Sequence, residues 1–333
     1  MSNHPKNPVL FPYARDQGYL ETDVVSTGDL PEAAVVENMM QQTYELHVDL
    51  SEGTVASYIP KLAEADPGWF GLTLASATGS RFSSGDSQQE FSIQSIAKAF
   101  VYALVCDAVG HEEVRERIGV NNTGLPFNSV MAIELNEGHT MNPMVNAGAL
   151  ATTSLVSGST WEEKWEFILQ GLSAFAGRDL ELDEGVYASE METNMRNRSI
   201  ARLLQSYGHI TVDPARVTEL YTRQCSLRVT TEDLAIMGAT LANGGVHPIT
   251  GTQVWVLMSA GTCSRSWRAP ACTKPVAIGS SRSGCRVRAE WPAALSPSPR
   301  ARAVLRPFLH LLMRQGTACA GFTRLGTFPI SSA

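Results

Sequence analysis

What most limits how this chain can fold is a break after Trp255. Up to that residue, apolar positions recur with helical or strand spacing; beyond it neither period is sustained. Charge and cysteine change at the same place. Residues 256–333 carry eleven basic side chains and one acid, Glu290, for a net +10, against −17 for the remainder and −7 overall. They also hold four of the six cysteines. Residues 1–30 are polar, carry Pro5, Pro8 and Pro12, lack the apolar core of a secretory signal, and read as a weakly ordered leader. The folded unit is expected over 31–255, an ordinary single-domain length. No apolar run approaches the ~20 residues that span a bilayer, so no membrane partner is expected and the location expected is cytoplasmic.

Within 31–255 helices outnumber strands, and the strands come early. Pro31 to Leu50 is helical, with Val36, Met39, Met40 and Tyr44 recurring at three-to-four spacing. Ala56 to Ala65 reads as a short helix, Trp69 to Ala75 as a strand, and Gly79 to Phe82 as the opening of its hairpin partner. Ser95 to Val109 is apolar after its first turn and predicts a buried helix. Trp161 to Phe175 is amphipathic. Ser189 to Tyr207 predicts one long helix. Asp213-Pro214 starts another, with Asp as cap and Pro in the first turn. Thr231 to Asn243 ends at Gly244-Gly245.

The sharpest chemical motif is F-S-I-Q-S-I-A-K at 91–98. Ser95 and Lys98, three apart on a helix, share a face. A serine hydroxyl is a weak nucleophile until a base takes its proton, and a lysine whose pKa is lowered by burial can be that base. Alone, S-x-x-K describes many solvated helix faces; the apolar run Ala99 to Val105 buries this one. The N-P-M-V-N-A-G-A block at 142–149 offers two amides, Asn142 and Asn146, beside small residues, for close approach of a polar ligand or for an Asn-capped turn. Glu190 and Asn197 are seven apart, two helical turns, so both can face one pocket or one solvated face. Tyr221 sits on the next helix, as a site residue or a core aromatic. The seven histidines show no metal-ligand spacing, so no metal and no cofactor are expected.

Taken in order, these motifs resemble the serine-dependent glutaminases of the bacterial type, over roughly Glu45 to Trp255. The resemblance includes A-S-Y-I-P-K-L at 56–62, L-P-F-N-S at 125–129, S-E at 189–190 with Asn197, and L-A-N-G-G at 241–245, besides the two blocks above. One departure is Ala97, where the family commonly has Ser. The resemblance implies an α/β fold of the β-lactamase type, an antiparallel sheet beside a helical subdomain. It implies that Ser95 is the nucleophile, Lys98 its base partner and Tyr58 a residue assisting proton transfer. Asn146, Glu190, Asn197 and Tyr221 would hold L-glutamine, whose side-chain amide is hydrolysed through a glutamyl-enzyme. Self-association into a homo-oligomer is usual in the family.

The family's later motifs, G-L-Y, then K-S-G-V-G-G-G, then S-P-x-L-D-x-x-G-N-S, are missing from the tail. Reading the last base of each codon with the first two of the next restores them in order. From Ala260 the shifted frame permits G-R-D-M-F-T-V-M-A-S-A-G-L-Y-E. Near Arg286 it permits L-P-G-K-S-G-V-A-G-G-I-V, and near His310 S-P-P-L-D-A-A-G-N-S-V-R-G. Residues from about 256 onward therefore read as out of frame, with the C-terminal strands of the fold disrupted. Thr273 stands where the family has a site tyrosine. Arg288, Ala289, Glu290 and Trp291 replace K-S-G-V, including a backbone donor for the oxyanion.

Two other functions compete. Another S-x-x-K hydrolase, of the β-lactamase or penicillin-binding type, shares the nucleophile but not the 142–149 block or the Glu190/Asn197 pair. A non-catalytic protein with a basic nucleic-acid-binding tail would explain the charge, but the basic residues are scattered and lack a recognised binding pattern. No nucleic-acid partner is expected.

Overall fold

A computed structural model describes residues 32–50, 54–121, 125–255 and the backbone of 320–324. The leader, residues 1–30, lies outside the described residues, as does the tail from 256 apart from that one strand.

The first unit is a small antiparallel sheet. Strand β1 spans Phe70–Ala75, and a turn at Gly79 returns the chain as β2, Arg81–Gly85, paired in the register Leu74↔Phe82 and Leu72↔Ser84. All six residues of β1 are buried. Alternation along the strand sends Leu72 and Leu74 to one face, where Val36 and Met40 of helix α1, Ala33–Glu45, cover them. Ala75, on the opposite face, meets Ala235, Ile236 and Ala239 of the helix Thr231–Ala242. Thr73 shares that face and places its Oγ1 3.1 Å from Thr231 Oγ1. The third strand comes from the tail, at Ala320–Arg324, antiparallel to β1 with Leu72 opposite Phe322. This strand is the one piece of the tail among the described residues. The second edge of β1 offers unpaired N–H and C=O groups, and any extended backbone satisfies them whatever its side chains.

The second unit is helical. Its centre is α2, Ala97–Val109, with Phe100 to Cys106 all buried. Around it pack α3 (His111–Ile118), α5 (Asn146–Ser154) and α6 (Trp161–Ala176), the short α4 (Met131–Leu135) lying beyond α5. Helices α7 (Glu184–Thr193), α8 (Met195–Ser206) and α9 (Pro214–Cys225) follow, and Thr231–Ala242 is α10. The caps fall where the sequence places them. Asp213 accepts from Ala215 N with Pro214 at the first helical position. Thr230 and Asp233 form a reciprocal box at α10.

Three expectations are corrected. The helix over Ala56 to Ala65 shrinks to a 3₁₀ turn, Pro60–Glu64, because Pro60 holds Ile59 extended (φ −117°, ψ 116°). Ser95 lies not in α2 but in a 3₁₀ turn, Gln94–Ile96, that leads into it. The long helix over Ser189 to Tyr207 is two helices, broken at Asn194 (φ −82°, ψ 24°).

The small residues of the 142–149 block serve backbone approach within the protein. A Cβ on Gly148 would lie 1.9 Å from Asn142 O, so α5 can dock against this loop only with glycine there. Gly148→Ala should therefore lower unfolding free energy by about 1–3 kcal/mol, read as a reduced urea midpoint at unchanged slope. An unchanged midpoint would show that the loop yields instead.

Candidate active site

A short antiparallel ladder sets up the turn that carries Ser95. Strand β3, Phe91–Ser92, pairs with β4, Arg228–Val229, and Ile93 N donates to Leu227 O at 2.8 Å. Gln94 then takes a left-handed conformation (φ 50°) unusual for a side-chain-bearing residue. Its Nε2 donates back to Ser92 Oγ at 3.0 Å. This sharp turn presents Ser95 at the head of α2. In 3₁₀ geometry residues three apart come nearly into line, so Lys98 follows on the same side. The Ser95 hydroxyl is hydrogen-bonded to the Tyr221 hydroxyl, which arrives from α9 and is itself only 2% exposed.

Lys98 is buried, and its Nζ donates to Asn146 Oδ1 at 2.8 Å and to Met144 O at 3.1 Å. The ring centroid of Phe127 lies 5.6 Å below it. Burial lowers its pKa from 10.5 to about 8, against the pull of the Glu190 carboxylate. A neutral amine has two N–H groups and one lone pair. With both N–H groups taken by these acceptors, the lone pair is left to receive a proton.

The two amides of the 142–149 block now separate. Asn142 Oδ1 accepts from Met144 N and Val145 N at 2.9 and 3.2 Å, and its Nδ2 donates to Asn121 O at 2.8 Å. Asn142 is therefore the turn clamp. Asn146 heads α5 and faces the site. Asn146 Oδ1 accepts from Lys98 Nζ, and its Nδ2 donates to Asn197 Oδ1 at 2.9 Å. One chain of polar contacts thus runs from Lys98 through Asn146 to Asn197 at the start of α8.

Glu190 sits on α7, 7% exposed, its pKa pushed up to about 7 by burial and held back by Lys98. Its Oε2 is buried without a hydrogen-bond partner. Leaving a buried carboxylate oxygen unpaired is costly, so the pocket is built to receive a donor there. Tyr58 keeps 53% of its surface open. Protein packed around its hydroxyl, together with Glu190, nevertheless pushes its pKa upward. Its segment is tied to α7 where Lys61 N donates to Ser189 Oγ at 3.2 Å. Tyr221 is pushed well above 10 by burial, so both phenols are donors at neutral pH.

The structure brings all seven sequence-named residues, Ser95, Lys98, Tyr58, Asn146, Glu190, Asn197 and Tyr221, into one neighbourhood, but Glu190 and Asn197 reach it from two helices. Sequence reasoning missed Cys225, Phe127 and the Met144 carbonyl. Cys225 lies one turn beyond Tyr221 on α9, buried and hydrogen-bonded to it, with its thiol pKa raised by burial. The i, i+4 spacing was the signal available for it. Nothing in the sequence flags a backbone carbonyl.

The known proteins similar to this chain are named as glutaminases. The family model described as "Glutaminase" matches residues 53–264. "Glutaminase 2" of Yersinia pestis is 50% identical over 232 residues, covering 70% of this chain and 68% of that protein. "Glutaminase" of Brucella canis is 50% identical over 209 residues, 63% of this chain and 65% of that protein. The chain thus spans about two thirds of the length of these relatives. Among solved structures, "Probable glutaminase ybaS" superposes with a TM-score of 0.70 at 38% identity, covering 72% of this chain and 77% of that one. A Bacillus glutaminase superposes at 0.62 and 30% identity, covering 71% and 76%.

Proposed function

Because the chain belongs to the glutaminase family, we propose that it hydrolyses the side-chain amide of L-glutamine, with Ser95 as nucleophile and Lys98 as its base. The observation that carries this is the buried Lys98 amine, three residues beyond Ser95, whose hydrogen bonds to Met144 O and Asn146 Oδ1 leave, in the neutral form, one lone pair free to take a proton.

The steps follow from the groups present. Ser95 Oγ attacks the carboxamide carbon while its proton passes to Lys98 Nζ. Negative charge develops on the former carbonyl oxygen near the positive end of α2. The tetrahedral adduct collapses, the C–N bond breaks, and Lys98 returns the proton to the departing ammonia. Water then attacks the glutamyl ester, giving its proton to Lys98, which passes it to Ser95 Oγ as L-glutamate is released. Tyr221, protonated and hydrogen-bonded to Ser95, holds the hydroxyl in line. Glu190 Oε2 takes the substrate α-ammonium, while Asn197 and Tyr58 flank the amino-acid end. Nothing in these steps calls on a metal or a cofactor. The β-lactamase-type alternative does not share the 142–149 block or the Glu190/Asn197 pair.

The same reading makes the active assembly a cytoplasmic homo-oligomer without a nucleic-acid partner. It also treats residues from about 256 onward as out of frame. The end of the family match at 264, slightly past the Trp255 boundary, supports a departure in this stretch. Without the tyrosine expected at 273 and the donor expected at 291, this chain lacks part of its site. Losing one oxyanion donor costs about 2.7–4 kcal/mol of transition-state stabilisation, or roughly 10²–10³ in kcat.

Three outcomes are expected. Ammonia release from glutamine is absent from the 333-residue chain and present in a frame-restored one; turnover by the unrestored chain counts against the frame assignment. In the restored enzyme Ser95→Ala abolishes release, and retained activity would remove the nucleophile. The pH profile follows from the two buried groups. Lys98 must be neutral to accept a proton, so kcat/KM climbs as pH rises through about 8. Glu190 must be charged to hold the ammonium, so the fall on acidification steepens below about 7. A flat profile from pH 6 to 9 would be incompatible with this pairing.

A further inference from the structure

We infer that Asn194 is a positioning residue, whose side chain pins the break between α7 and α8 against α9 and so brings Glu190 and Asn197 to the same substrate. The inference rests on the site assignment above and goes beyond it to a residue that does not touch the substrate.

On an unbroken helix, Glu190 and Asn197 would stand about 10 Å apart along the axis. Each nevertheless reaches the Lys98 cluster. Asn197 Oδ1 accepts from Asn146 Nδ2 at 2.9 Å, and the Glu190 carboxylate lies close enough to Lys98 to act on its charge. The break that reconciles these two facts is one residue long. Asn194 is the only residue between Thr193, which ends α7, and Met195, which begins α8. Its ψ of 24° has left the α-helical range. Arg198 Nη2 braces the break from the α8 side by donating to Met191 O at 2.7 Å.

The Asn194 side chain is 6% exposed. Its Nδ2 donates to Thr222 Oγ1 on α9 at 3.1 Å and to Met191 Sδ at 3.4 Å. Thr222 is fully buried and spends its own hydroxyl hydrogen on Thr218 O at 2.9 Å, so it can only accept from Asn194. This fixes which way the amide points. Thr222 directly follows Tyr221, so one turn of α9 carries both the tyrosine that holds Ser95 and the anchor for the break. Asn194 Oδ1 is left buried without a partner, so the nitrogen contacts alone hold this amide in place.

Substrate-binding groups displaced together weaken ground-state and transition-state binding alike, which raises KM and leaves kcat. The test compares Thr222→Val, which keeps the shape but removes the acceptor, with Thr222→Ser, which keeps the acceptor. Both are made in the full-length chain and its frame-restored counterpart. In the restored enzyme Thr222→Val should raise KM for glutamine about threefold to tenfold with kcat within about twofold. Thr222→Ser should stay within about twofold on both. Asn194→Ala should raise KM similarly, and the Asn194→Ala/Thr222→Val double variant should be no worse than the single ones. A Thr222→Val enzyme that melts earlier but keeps its KM, or additive effects in the double variant, overturns the inference. Ser95→Ala in the same background separates the two failures. If it still deamidates glutamine, the site assignment has failed; if it is dead while Thr222→Val keeps its KM, only the positioning role has. A restored enzyme with no turnover at all overturns both.

Discussion

The site depends on a lysine amine held inside the protein with two acceptors and no facing carboxylate bond. Burying Lys98 disfavours its charged form. The protein limits that cost by giving Nζ hydrogen bonds to Met144 O and Asn146 Oδ1 instead of a full ion pair. Had Glu190 closed a direct salt bridge with it, the amine would stay protonated and useless as a base. The nearby but unbonded carboxylate instead leaves both groups titrating close to neutrality. The rest of the helical unit can be understood as what holds that arrangement. Asn142 stiffens the loop carrying Met144, Gly148 lets α5 approach that loop, and α2 is buried from Phe100 to Cys106 behind Lys98.

Convergence from separate elements is the second constraint. Ser95 and Lys98 come from the head of α2, Asn146 from α5, Glu190 and Asn197 from either side of a helix break, and Tyr221 from α9. Because these elements are packed through shared apolar clusters, a shift in one is felt by the others. This is why a residue such as Asn194, remote from the reacting atoms, can govern the geometry at them.

The sheet follows a different rule. β1 is buried on both faces by α1 and α10, so side-chain packing defines its place. Its edges are held largely by backbone hydrogen bonds. A segment that carries none of the family's later motifs can still pair there, as Ala320–Arg324 does.

The sequence by itself singled out Ser95 and Lys98, the proposed nucleophile and base, since they are local neighbours on one turn and burial could be read from the apolar run behind them. It determined most helices, the hairpin and the caps at Asp213 and Thr230, because these arise from short-range periodicity and local hydrogen bonding. It also pointed to a change in character near 255, while the family match runs on to 264. Tertiary structure decided what depends on contacts far apart in the chain. It separated Asn142 from Asn146, two amides alike in sequence, by what each one faces. It split the Ser189 to Tyr207 pattern at Asn194, where the amide's partner lies on α9. It added Cys225, Phe127 and the Met144 carbonyl to the site, and supplied a third strand through backbone alone. Helical spacing tells which residues share a face, but only packing tells what that face meets.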